Sequence, residues 1–142
     1  MAPRVDFYVL PSQEPKGRLV LACRLAEKAY GLGHRVYLHA ASAEQARQLD
    51  DLLWTFRQGS FVPHTLCPPA KGDASPVSIG SDETSAAAAA VLINLSDTVP
   101  VFFEDYERVV ELVDQQPPVL AKSRERFRFY RDRGCEPVSH RL

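Results

Sequence analysis

His64 and Cys67 stand close together in this chain of 142 residues, and Asp105 would complete a Cys–His–Asp set of the kind that activates a thiol nucleophile. Such sets assemble in space, so spacing alone carries little. The same residues read more simply as a loop histidine and an ordinary cysteine beside Pro68 and Pro69. His39 and His140 show no metal-ligand spacing with any partner, and His34 sits in a Gly-His turn that solvent satisfies. Cys23, Cys67 and Cys135 are widely separated and odd in number, which suggests neither a disulfide framework nor a zinc pair. No catalytic constellation, metal site or cofactor is expected.

Phosphate chemistry needs a different signature. The first predicted strand is followed by "PSQEPKGR", which lacks the glycines that bring a backbone against a pyrophosphate. No Gly-Lys-Ser/Thr occurs, so there is no P-loop. An inactive or divergent nucleotide-binding α/β enzyme is the runner-up reading that this leaves.

Binding chemistry is better supplied. Lys122 to Arg133 holds six basic residues against Glu125 and Asp132, inside a predicted helix. At 100° per residue Leu120, Phe127 and Tyr130 share a face flanked by Ser123, Arg124 and Arg131, while Phe129 faces away amid Lys122, Arg126 and Arg133. One reading is a core-packing helix with a solvated basic back. The other is a site for an acidic peptide with an apolar end, since guanidinium groups pair well with carboxylates. A single-strand binder using Arg124, Arg126 and Phe129 is a third, disfavoured by the net charge of −1. Trp54 and Phe61, in "LLWTFRQGSFVPH", either seal a helix end against the sheet or rim a docking surface near the last helix.

The elements that position these residues alternate. Arg4 to Leu10 reads as a strand, Gly17 to Tyr30 as a helix stopped by Gly31 and Gly33, and Arg35 to His39 as a second strand. Ser42 predicts an N-cap, with Gln45 completing a capping box. Ala46, Leu49, Leu52 and Leu53 form the buried stripe of the next helix. Cys67 to Ser75 reads as an exposed loop, Pro76 to Gly80 and Val91 to Leu95 as strands, and Ala86 to Ala90 as a helical turn or spacer. Arg108 to Val113 is a further strand, before a final helix from about Pro118 to Arg133 ended by Gly134. This pattern predicts an α/β class: a single Rossmann-like domain over residues 1–142, with a mostly parallel sheet covered by helices on both faces and no nucleotide-binding motif.

Hydrophobic residues at 45% and charged residues at 25% suit a globular protein with one core. No apolar run approaches the roughly 20 residues of a membrane span, and "MAPRVDFYVL" has no signal-peptide pattern. A cytoplasmic protein with reduced thiols, away from membranes, is expected.

Several stretches then converge in order: "VDFYVL", "AEQARQLDDLLWTFRQGSFVPH", "ASPVSIG", "VLINLS" and "RERFRFYRDRG". Across essentially the whole chain they resemble the chi subunit family of bacterial DNA polymerase III, and the middle stretch is the specific part. The resemblance implies a non-enzymatic clamp-loader accessory protein with a Rossmann-like fold. It implies two partners: the psi subunit, which links chi to the clamp loader, and the acidic, Phe-ended C-terminal tail of single-stranded DNA-binding protein. No specific contact with nucleic acid itself is expected. By local match the tail's basic anchor falls on Arg124, with Val113 and Phe127 forming pocket wall and Arg131 assisting along the same face. Phe127 replaces a Tyr that relatives carry, so the ring is kept and a hydroxyl lost. Trp54 and Phe61 complete the expected protein-binding residues.

Overall fold

The computed structural model describes residues 2–59, 61–66, 76–81 and 90–142. The expected loop at 67–75 and most of the alanine run lie outside them. In the described residues three helices and seven strands follow one another as β1 (Arg4–Val9), α1 (Pro15–Gly31), β2 (Val36–His39), α2 (Ala43–Thr55), β3 (His64–Leu66), β4 (Val77–Gly80), β5 (Val91–Asn94), β6 (Arg108–Val113), α3 (Pro117–Asp132) and β7 (Val138–Arg141). The strands form one sheet of order β3-β4-β2-β5-β6-β1-β7, and every pairing is parallel.

Parallel strands carry covered faces, and the burial shows it. All four residues of β2 and of β5 are buried. Side chains alternate between two cores. Val36, Leu38, Ile93, Val110 and Leu112 pack with Leu19, Cys23, Ala26, Leu49 and Leu53 of α1 and α2. Phe7, Tyr37, Leu92, Val109 and Val113 pack on the opposite face with Phe103, Tyr106 and Tyr130. The helices thus lie on both faces, as the alternating pattern predicts.

Local chemistry fixes the helix ends. Both α1 and α3 begin on a proline, whose fixed φ suits a first helical turn and whose missing N–H is not needed there. That is why α1 starts two residues before the expected Gly17. Ser42 Oγ accepts from the Gln45 N–H at 3.1 Å. The Gln45 side chain reaches past the usual capping-box partner and accepts from the Ala41 N–H at 2.7 Å. Gly33 and Gly134, at φ 88 and 87, let the chain turn out of α1 and α3.

Two elements were not foreseen. β3 starts directly after Pro63 at one sheet edge, where a proline is tolerated. β7, "VSHR", has one apolar residue and charged neighbours, the composition of a protected edge strand rather than of a core strand. It pairs with β1 along Asp6↔Val138 to Val9↔Arg141.

The final helix corrects the sequence reading. Arg126, expected on a solvated back, is only 3% exposed, because the buried stripe of α3 runs through Ser123, Arg126 and Tyr130. Arg126 Nε donates to Glu111 Oε1 of β6 at 2.9 Å, and its Nη1 donates to the Asp97 carbonyl at 3.0 Å. Tyr130 Oη and Asn94 Nδ2 both donate to Glu111 Oε2, at 2.6 and 2.9 Å. Burial pushes the Glu111 carboxyl above its ordinary range, opposed by the Arg126 charge and these donors.

Removing one partner of a buried ion pair strands the other, at a cost of about 3–5 kcal/mol. Arg126→Ala should therefore lower the urea unfolding free energy by about that much. Glu111→Leu combined with Arg126→Met should restore most of it, and a loss below about 1 kcal/mol for Arg126→Ala would contradict the account.

At the β1 end, Asp6 is fully buried between Arg108 Nε at 3.0 Å, Arg4 Nε at 3.1 Å and His140 Nε2 at 2.8 Å. Burial alone would raise its carboxyl, but His140, Arg108 and Arg4 outweigh it and hold the pKa below the ordinary range. The stability this lends is present above about pH 4, the unfolded value, and is lost as pH falls through the lower folded value. Chemical denaturation at a series of pH values should show a shallower acid limb for Asp6→Asn than for the wild type.

Candidate functional site

Thiol chemistry finds no support in the described residues. Cys23 is fully buried with its thiol pushed up to about 12 by desolvation, and burial likewise raises Cys135. Cys67 lies outside the described residues. His64 is engaged locally: Nδ1 donates to the Val62 carbonyl at 2.7 Å and Nε2 lies 3.2 Å from Asp50 Oδ1. The carboxyl ends of β5 and β6, where an open α/β sheet would present a ligand crevice, hold buried Asn94, Glu111 and Asp114. Arg18 of α1 approaches Asp114 at 3.6 Å and also lines a cavity of about 480 Å³ with Lys16, Gln45, Gln48 and Gln116.

A cavity of about 320 Å³ with mixed apolar and polar walls opens between α3 and the strands beneath it. Its strand side is Phe7 and Val9 of β1 and Val113 of β6, and its helix side is Leu120 and Phe127. Phe127 packs on Phe7 with ring centroids 5.2 Å apart. Arg124, exposed to solvent, lines the same cavity. Three expected residues, Val113, Arg124 and Phe127, are thus brought together by a strand end and one face of a helix.

Arg131 is not among the residues lining it. It shares the angular position of Arg124, but seven residues at a rise of about 1.5 Å carry it roughly 10 Å along the axis. A cation that sequence reasoning missed, Arg141, lines the cavity from β7. The missed strand hid it.

Trp54 and Phe61 lie elsewhere. Trp54, near the end of α2, is 56% exposed, and Phe61, just before β3, is 72% exposed. Their ring centroids are 5.9 Å apart, and the buried His64 ring sits 4.7 Å from Trp54. They belong to the face covered by α1 and α2 and to the β3 edge, whereas the Arg124 cavity is on the other face toward the β7 edge. The expected approach of this pair to the last helix does not occur, because α2 and α3 pack on opposite sides of the sheet. The earlier alternatives for the stretch divide residue by residue. Leu49 and Leu53 are core, Leu52 is half-buried, and Trp54 and Phe61 face outward.

Among solved structures the fold is similar to Mss116p DEAD-box helicase domain 2 bound to an RNA duplex. The TM-score is 0.58 at 10% identity, over 95% of this chain and 64% of that one, a likeness of fold alone. Among curated proteins, DNA polymerase III subunit chi of Pseudomonas aeruginosa is 46% identical over 98% of this chain and 96% of its own length. The subunit chi of Escherichia coli is 30% identical over 80% of this chain and 78% of its own. Residues 2–138 match the family model described as DNA polymerase III chi subunit, HolC. With a family match spanning strands β1 to β6 and all three helices, the chain belongs to the DNA polymerase III chi subunit family, a family of replication accessory subunits.

Proposed function

We propose that this chain is a non-catalytic adaptor of the polymerase III holoenzyme. It binds the acidic C-terminal tail of single-stranded DNA-binding protein and, through psi, connects that protein to the clamp loader. The observation that carries the reading is the cavity that joins an apolar wall of Val113, Leu120 and Phe127 to the exposed Arg124. A peptide ending in a phenylalanine carboxylate needs one apolar pocket and one positive anchor. Val113, Leu120 and Phe127 receive the ring, and Arg124 holds the terminal carboxylate through charge-assisted hydrogen bonds. We assign psi to the other surface, where Trp54 and Phe61 expose an aromatic pair of the type that dominates protein interfaces.

A direct single-strand binder is less well supported, since Arg126 is committed to Glu111 in the interior and Phe129 is half-buried. A divergent nucleotide enzyme is also less well supported, since no glycine-rich phosphate loop follows β1 and no Gly-Lys-Ser/Thr occurs.

A hydrogen bond to a charged group is worth about 1.5–3 kcal/mol, so Arg124→Ala should weaken tail-peptide binding roughly ten- to hundredfold. Arg124→Lys should recover part of it, lacking the planar fork, and raised salt should weaken the wild type more than the Ala variant. Fluorescence anisotropy with a labelled tail peptide measures all three, and equal affinity for wild type and Arg124→Ala would remove Arg124 from the site.

Trp54→Ala should behave differently from a core truncation, which costs about 3–5 kcal/mol. With the side chain largely exposed, its melting midpoint should stay near that of the wild type while recovery of psi in a pull-down falls. A large drop in midpoint, or unchanged psi recovery, would rule out the docking role.

A further inference from the structure

The cavity between α3 and β7 holds a second cation that the adaptor reading leaves unused. Arg124 and Arg141 both line it, and no carboxylate does. The two guanidinium groups come from different elements, so they border the cavity from the helix side and from the strand side. Neither is engaged by a carboxylate of the described residues.

Arg141 is held in place from behind. Its neighbour His140 stacks on Tyr8 at 4.8 Å between centroids, and His140 Nε2 lies 2.8 Å from the buried Asp6. Beyond it, the Leu142 N–H donates to the Val9 carbonyl at 3.0 Å. Side chains alternate along a strand, so with His140 fixed on one face of β7, Ser139 and Arg141 are turned to the other, where both meet the cavity. A flexible arginine at a chain end would lose this placement. Here the strand is clamped on its far face and presents the cation on its near one.

One carboxylate is satisfied by one guanidinium fork. A second guanidinium bordering the same small cavity therefore suits a ligand with a second negative group close to its apolar end. We infer that Arg141 is a specificity-determining residue of this site. It selects, among peptides with an apolar C-terminal residue, those carrying an aspartate or glutamate immediately upstream, while Arg124 takes the terminal carboxylate. The inference rests on the tail-binding reading above and adds to it the side chain that reads the acidic residues.

The test uses the full chain and two labelled peptides. One has aspartates before a C-terminal phenylalanine, and the other has asparagines in their place. An exposed ion pair is weak, so Arg141→Ala should reduce affinity for the aspartate peptide about two- to fivefold, and Arg141→Glu about tenfold or more. Against the asparagine peptide both variants should bind within a factor of about two of the wild type. Arg124→Ala should lose affinity for both peptides. Arg141→Glu binding the aspartate peptide as tightly as wild type, while Arg124→Ala is impaired, overturns the inference and leaves the adaptor reading standing. Equal losses for Arg141→Glu with the two peptides also overturn it, because the effect then does not come from the aspartates. Failure of the wild type to bind either peptide removes the tail-binding reading and this inference together.

Discussion

The buried ion pair of Glu111 and Arg126 is the constraint on which the arrangement of α3 depends. Glu111 lies in β6 among buried Val109, Val110, Leu112 and Val113, and its charge has no water to meet. A carboxylate there must be answered by fixed donors, and α3 supplies two of them, Arg126 and Tyr130, one turn apart. A helix packed on a sheet by apolar contacts alone has freedom to slide or rotate. Polar groups that must meet specific partners remove that freedom. The rotation of α3 that satisfies Glu111 also sets Phe127 on Phe7 and leaves Arg124 at the cavity rim. Asn94 joins β5 to the same carboxylate, so the register of β5, β6 and α3 is tied at one point.

The fold was legible because its signals are local. Apolar runs in β2, β5 and β6, the Ser42 cap and the glycines at helix ends each carry their meaning within a few residues. The edge strands were not legible for a related reason. β3 and β7 need neither a continuous apolar run nor an alternating one, since partners cover them on one side only, and "VSHR" resembles a polar tail until β1 is beside it.

The site was half legible. Val113, Arg124 and Phe127 are what the family resemblance implies, and the helix face by itself gives only Phe127 flanked by Arg124. Arg141 depends on a strand pairing between the two ends of the chain, a contact of long sequence separation that no periodicity reports. Arg126 was misplaced because arginine is usually solvated and its partner lies fifteen residues upstream. A signal was present nevertheless: the lone Glu in "RVVELV" demands a buried cation, and the last helix is the nearby source of one. Trp54 and Phe61 were read correctly as outward-facing aromatics but set on the wrong side. Residue type indicates exposure, whereas the side of the sheet depends on which crossover carries the helix.

The seven-strand order has a consequence for the two proposed docking surfaces. Six gaps of about 4.8 Å separate β3 from β7, so the aromatic pair and the Arg124 cavity lie on the order of 30 Å apart with a parallel ladder between them. Sites that far apart and without shared side chains contribute independently. The two docking free energies should therefore add without competition or cooperativity. Holding one partner leaves the intrinsic strength of the other contact unchanged while raising the local concentration at which that contact is made.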